Sequence, residues 1–153
     1  MPRSVDLLLI ALSSPIQIGI YEDAKLIKSI KSEEKSSDVL PKIYEELFQE
    51  YDVKKLFYAN GPGSFMAIKV AYIFLKSLSI INNYTFLAVD AFFFNENRPI
   101  KAIGKLCFVK TSQSIETQLF EKVPQNSFAL PKQINIDDFN HDTLPLYGIA
   151  AVG

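Results

Sequence analysis

Several residue types are scarce in this 153-residue chain, and each scarcity narrows the chemistry that the chain can carry. A single cysteine, Cys107, excludes an internal disulfide bond and a cysteine cluster, so we expect no metal site. A single histidine, His141, lies in a polar, irregular stretch and gives no basis for a catalytic triad, so no catalytic residue is predicted. The 16 basic and 17 acidic residues leave a formal net charge of -1, which does not favour autonomous nucleic acid binding.

Long uninterrupted apolar runs are missing too. Residues 65–81 come nearest, but Lys69 and Lys76 interrupt this run, which falls short of the ~20 apolar residues that a bilayer span needs. The N-terminus superficially resembles a signal peptide, yet Asp6 interrupts its basic start and its apolar stretch is short, so we expect a first strand there. With 48% hydrophobic and 22% charged residues, the chain is typical of a soluble globular protein. We therefore expect a cytoplasmic protein without a membrane span.

What is present is an α/β pattern. Apolar alternation predicts an antiparallel meander of three strands over residues 5–12, 16–21 and 26–30. A helix should run from Ser36 or Ser37 to Glu50, and a strand–helix–strand crossover should follow, with parallel strands at 53–59 and 84–89 around a helix at 65–81. We expect a helical turn within 90–97, a hairpin of 101–110 with 115–123, and an extended tail at 144–152. Residues 1–100 would form the main α/β domain, and residues 101–153 a reduced hairpin and tail in one compact unit with it.

A glycine-rich loop, Asn60-Gly61-Pro62-Gly63-Ser64-Phe65, opens the second helix. Gly61 and Gly63 allow a tight turn and close backbone approach, and Ser64 can cap the helix. The free N–H groups of a helix start can bind an anion, but the loop matches neither a Walker A motif nor G-x-G-x-x-G. Two interpretations stay open at this point: a structural turn, which the pattern favours, and a phosphate site at Gly61, Gly63 and Ser64.

The helix after the loop is apolar on nearly every side. A helix that lies on a sheet buries one face and leaves the other in water, so an apolar residue on every turn requires a second cover. We expect that cover to be another protein subunit.

The order of hairpin, amphipathic helix, strand and N-G-P-G-S-F before an apolar helix resembles the TsaB (YeaZ) family, whose members carry G-P-G-S-F-T-G-x-R-I-G. The likeness spans roughly residues 5–110, and Leu144-Pro145-Leu146-Tyr147 is similar to the family's closing strand. The chain departs from the family pattern at five positions: Ala11 replaces Asp, Met66 Thr, Ala67 Gly, Lys69 Arg and Ala71 Gly. It also lacks most of the family's second half.

The resemblance implies an actin-like (ASKHA, ribonuclease H-like) fold with a mixed sheet, two packed helices and a truncated second half. It implies a non-catalytic scaffold for a TsaD-like catalytic subunit, acting with a TsaE-like ATPase in N6-threonylcarbamoyladenosine modification of tRNA. The chain would have no cofactor of its own, ATP or ADP would bind at the complex interface, and tRNA would be met through the complex. Isolated chains would homodimerise. The implied interface lies on the two helices, at Val39, Leu40, Ile43, Tyr44, Leu47, Phe65, Ile68, Lys69, Tyr72, Leu75 and Lys76.

Two alternatives remain. The chain could be an enzyme, either a small actin-like nucleotide hydrolase or a glycoprotease-type peptidase, although Ala11 occupies the position of the metal-binding carboxylate in that fold. It could also be a homodimeric adaptor unrelated to tRNA. Turnover of ATP by the purified protein would favour the first, and sedimentation with and without a TsaD-like partner would separate the second.

Overall fold

The computed structural model describes residues 2–125 and 127–147. Eight strands and two α-helices follow one another along the described chain, with 3-10 turns at Ala91–Phe94 and Ile136–Asp138. Their order is β1 (Ser4–Ile10), β2 (Ile16–Glu22), β3 (Lys25–Ser32), α1 (Ser36–Glu50), β4 (Asp52–Ala59), α2 (Phe65–Asn82), β5 (Thr85–Val89), β6 (Ile100–Lys101), β7 (Leu106–Lys110) and β8 (Ile115–Leu119).

Strands β1 to β5 form a mixed sheet in the order β3-β2-β1-β4-β5. The first three strands are antiparallel, with Leu8 opposite Gly19, whereas β1, β4 and β5 are parallel, with Leu8 opposite Phe57 and Phe57 opposite Leu87. The predicted meander and the predicted parallel neighbours on either side of α2 are both confirmed.

The central strand β1 is apolar at successive positions because both faces of the sheet are covered. Leu7 and Leu9 point into a core shared with the two helices, while Leu8 and Ile10 point into a second core on the opposite face. Side chains alternate between the faces of a strand, so a strand buried on both sides loses the polar alternation of an exposed one.

The first face of the sheet is covered by α1 and α2. Helix α1 buries one stripe, made of Val39, Leu40, Tyr44 and Leu47, and places its charged residues outside. Helix α2 buries Ile68, Ala71, Leu75 and Ser79, at the three- and four-residue spacing of one helical face.

The second face is covered by the C-terminal part of the chain. Phe108, Ile134 and Phe139 join the same core as Leu8 and Ile10. Irregular backbone in this part is held by side chains of the sheet: the Gln17 amide donates to the Phe128 carbonyl (2.8 Å), and the Tyr21 hydroxyl donates to the Pro131 carbonyl (2.7 Å). Residues 101–147 therefore contribute to a core that the first hundred residues begin.

The predicted C-terminal hairpin is shorter than expected. Strand β7 starts only at Leu106, since residues 102–105 form a tight turn closed by the Ala102 N–H and the Leu106 carbonyl (2.9 Å). Gly104 has a positive φ of 57° in this turn, which ends the extended run. Strand β8 ends at Leu119 rather than Val123. The predicted helical turn within 90–97 is present as Ala91–Phe94, and of the predicted tail only residues 144–147 lie within the described part.

Two buried tyrosines of the helix-side core differ in how their hydroxyls are satisfied. The Tyr58 hydroxyl donates to the Thr143 carbonyl, whereas the Tyr44 hydroxyl is buried without a partner among the described residues. Burial also raises the pKa of both hydroxyls, so they remain protonated.

We predict that Tyr44→Phe leaves the free energy of unfolding unchanged or raises it by about 1 kcal/mol, because an unsatisfied buried hydroxyl is removed. The matched variant Tyr58→Phe should lower it by about 1–2 kcal/mol, because the Thr143 carbonyl loses its donor. Urea unfolding of both variants measures the difference. Equal losses in the free energy of unfolding for the two variants would show that the Tyr44 hydroxyl also has a hydrogen-bond partner.

Candidate functional site

The solvent-facing side of α2 carries a row of exposed apolar side chains. Met66, Ile73 and Ile80 are 61%, 53% and 69% exposed, and their seven-residue spacing aligns them in one row along the helix. Lys69 and Lys76, also seven residues apart, flank this row. We call these five residues the α2 outer face. Its apolar row faces water in the single chain, which is the condition of a surface that binds another molecule.

A groove beside this face continues it toward α1. It has a volume of about 390 Å³ and is lined by Leu40 and Pro41 from α1 and by Val70, Ile73 and Phe74 from α2, with serines 36, 37 and 77 at its rim. Pro41 lies inside α1, so its ring is presented on the helix surface without a backbone N–H. The α2 outer face and this groove together form one continuous apolar surface on the helix side of the molecule.

The structure divides the residues predicted for the partner interface into three groups. Six are buried in the core of the single chain: Val39, Leu40, Tyr44, Leu47, Ile68 and Leu75. Ile43 and Tyr72 are half-buried, and Phe65, Lys69 and Lys76 are exposed. Tyr72 packs its ring near those of Tyr58 and Phe86, so it serves the core as well as the surface.

Sequence reasoning did not single out the three exposed apolar residues of the outer face. The seven-residue spacing of Met66, Ile73 and Ile80 is a readable signal, but the inner row of Ile68, Ala71 and Leu75 is equally apolar. Periodicity cannot distinguish two apolar faces of one helix, and only the position of the sheet decides which face is covered.

Helix α2 also has the length and composition of a membrane span, and among the described helices it is the one that does. Only 22% of that 18-residue window is buried inside the structure. Ala71 and Leu75 of its inner row nevertheless pack in the core on the helix side of the sheet, so the helix belongs to the folded domain.

The glycine loop is occupied by the chain's own C-terminal tail. The Leu146 N–H donates to the Asn60 carbonyl (2.6 Å), and the Asn60 amide donates to the Leu144 carbonyl (3.0 Å). The Gly61 carbonyl accepts the Ala91 N–H (2.8 Å) from the 3-10 turn after β5. The backbone of the loop is therefore engaged in holding the tail and the turn.

The two glycines are required by close backbone approach. Gly61 has a φ of +117°, and an added Cβ would overlap the Leu146 carbonyl. An added Cβ at Gly63 would lie 2.9 Å from both Cβ and the carbonyl oxygen of Leu12, and that oxygen accepts the Ser64 N–H (2.9 Å). Ser64 occupies the N-cap position of α2, but its side chain makes no capping hydrogen bond. These contacts explain why glycine is needed at both positions of the loop.

The residues considered for catalysis lie apart from one another. Ala11, directly after β1, is buried in the helix-side core, whereas His141 is exposed in the tail. Within residues 2–125 and 127–147, no three His, Cys, Asp or Glu side chains come together as a metal site. Cys107 is buried in β7, and burial raises the pKa of its thiol.

We predict that Gly61→Ala lowers the free energy of unfolding by about 3 kcal/mol or more, because both the backbone conformation and the Leu146 contact oppose a side chain. The matched variant Gly104→Ala has a positive φ but open space around it, so it should cost only about 1–2 kcal/mol. Thermal unfolding of both variants measures the loss in the free energy of unfolding for each. Equal losses in the free energy of unfolding would show that the Leu146 carbonyl does not exclude a side chain at Gly61.

Comparison with known proteins shows which solved structures have a similar fold. No protein-family model matches the chain, and no curated protein matches its sequence. Among solved structures, YeaZ from Pseudomonas aeruginosa is similar with a TM-score of 0.63 and 16% identity, over 82% of this chain and 72% of that one. A second structure, an uncharacterised protein with similarity to peptidase YeaZ from Pseudomonas aeruginosa, gives 0.58 and 16%, over 80% and 69%. The chain therefore has the expected actin-like α/β fold, in a YeaZ-like arrangement.

Proposed function

We propose that this chain is a non-catalytic scaffold subunit that binds and supports a TsaD-like catalytic subunit in N6-threonylcarbamoyladenosine modification of tRNA. The observation that carries the proposal is the α2 outer face, a row of apolar side chains along one helix that is open to solvent. The YeaZ-like fold and the G-P-G-S-F block at residues 61–65 support the choice of family. In this proposal the complex is cytoplasmic, includes a TsaE-like ATPase, and supplies the contact with tRNA.

The chemistry of the α2 outer face defines the partner surface that it fits. Burial of Met66, Ile73 and Ile80 contributes about 1.5–3 kcal/mol of gross stabilisation for each fully covered side chain. Association costs cancel part of this, so the groove beside α1 must be filled as well. The complementary surface is an apolar helix face with acidic residues at its border, opposite Lys69 and Lys76. A second copy of the chain would compete for the same face in the absence of the partner.

A scaffold role is also supported by what occupies the ends of the parallel strands. Open α/β sheets bind ligands outside the carboxyl ends of their strands, and here the tail lies over Asn60 and Gly61 at that position. Alanine at position 11 supplies no carboxylate for a metal-bound nucleotide. We therefore propose that ATP or ADP in the complex binds at the boundary between subunits and that this chain has no cofactor of its own.

We predict that Ile73→Glu lowers the affinity for the TsaD-like subunit of the same organism by at least about 30-fold, because a carboxylate would be desolvated at the centre of the contact. Isothermal titration calorimetry with the purified subunits measures the affinity. Ile136→Glu is the matched control, since Ile136 is similarly exposed (46%) but lies in the 3-10 turn of the C-terminal part. It should leave the affinity unchanged.

Three results would overturn the proposal. One is tight binding of the TsaD-like subunit by Ile73→Glu with the wild-type affinity. Another is ATP or peptide turnover by the purified chain that is lost in Ser64→Ala, which would favour the nucleotide hydrolase or peptidase alternative. The third is a wild-type chain that dimerises but never binds the TsaD-like subunit, which would instead favour the adaptor alternative.

A further inference from the structure

The edges of the two sheets are not protected equally. Strand β3 carries Lys25, Lys28 and Lys31, and lysines hinder pairing of an edge with another chain. Strand β5 is covered at its edge by the tail, through two hydrogen bonds between Ala88 and Asn140 (2.9 and 2.7 Å). Strand β6 is only two residues long. Each of these three edges therefore has a feature that hinders pairing with a further strand.

Strand β8 has none of these protective features. It is the outer strand of the order β6-β7-β8, contains no lysine or proline, and pairs with β7 without a bulge. Four of its five residues are exposed, and Leu119 is 78% exposed. An edge of this kind is a template for a further strand.

The hydrogen bonds at the two ends of the hairpin identify the backbone groups that face outward. The Phe120 N–H donates to the Lys105 carbonyl (2.9 Å), and the Thr111 N–H donates to the Ser114 carbonyl (2.8 Å). Because hydrogen-bonded pairs alternate along an antiparallel ladder, Glu116 and Gln118 also bond toward β7. The residues between them direct their N–H and carbonyl groups away from β7. The outward N–H and carbonyl groups belong to Ile115, Thr117 and Leu119, and no other described segment bonds to them.

We propose that β8 pairs antiparallel with β8 of a second copy of this chain, with Thr117 opposite Thr117 of the second copy. In this register Ile115 lies opposite Leu119, so the outward groups of both strands form about six backbone hydrogen bonds. Glu116 lies opposite Gln118, which avoids contact between like charges. The strand is thus self-complementary, and this favours a second copy over an unrelated strand.

Neighbouring registers are less favourable. A shift by one residue would set outward groups against residues that already bond to β7. A shift by two would leave about four hydrogen bonds and place either Glu116 opposite Glu116 or Gln118 opposite Gln118. The dimer would be isologous and would join the small sheets of two chains into one. It uses backbone groups of the small sheet and no residue of the α2 outer face, so it is independent of the proposed function.

Sedimentation velocity of the full chain over a range of concentrations tests this dimer with three variants. Thr117→Pro removes the central outward N–H and no hydrogen bond to β7, and it should raise the dimer dissociation constant by about tenfold or more. Thr117→Lys sets two like charges opposite each other and should do the same. Gln118→Lys adds an identical charge but places it opposite Glu116 of the second copy, so it should lower the dissociation constant by about threefold.

Thermal unfolding of each variant verifies that it is folded. Opposite effects of the two lysine substitutions, which change the net charge equally, would support the register. A chain that stays monomeric at every concentration overturns the proposal. So does a dimer that is indifferent to all three variants, and a dimer that is lost only in Ile73→Glu would assign self-association to the α2 outer face instead. Binding of the TsaD-like subunit is measured separately, so failure of one proposal does not decide the other.

Discussion

Burial of the central sheet on both faces is the constraint on which the rest of this structure depends. Strand β1 sends Leu7 and Leu9 into one core and Leu8 and Ile10 into another, and neither core exists without its own cover. Two regular helices cover the first face. The second face is covered largely by irregular chain, whose backbone must be satisfied by side chains of the sheet, because buried polar groups without partners are costly. The Gln17 amide and the Tyr21 hydroxyl are examples of such side chains.

The same requirement explains the glycine loop. The tail crosses the carboxyl ends of the strands, where Tyr147 packs against the second core, and it comes so close to Gly61 that no side chain fits there. Its bonds engage the backbone carbonyl and the side-chain amide of Asn60. The glycine loop therefore holds the tail in the folded chain. The alternative of an anion site at Gly61, Gly63 and Ser64 stays a prediction.

The two surfaces proposed to bind other chains differ in their physical character. The α2 outer face offers side chains, and its affinity for a partner depends on shape and on the charge of Lys69 and Lys76. Strand β8 offers backbone groups, and its pairing depends on register. The two are on different parts of the fold, so one chain can contact a different subunit with the first and its own copy with the second.

The sequence by itself determined the elements and much of their arrangement, because periodicity and turn chemistry are local. It predicted α1 and α2 to within a residue or two, the antiparallel meander, and the parallel crossover around α2. Only the tertiary structure decided which apolar face of α2 is buried, since Leu75 and Ile73 look alike in sequence and differ in their position relative to the sheet. It also decided that Gly61 holds the tail, because that contact joins residues 85 positions apart, beyond the reach of any local pattern.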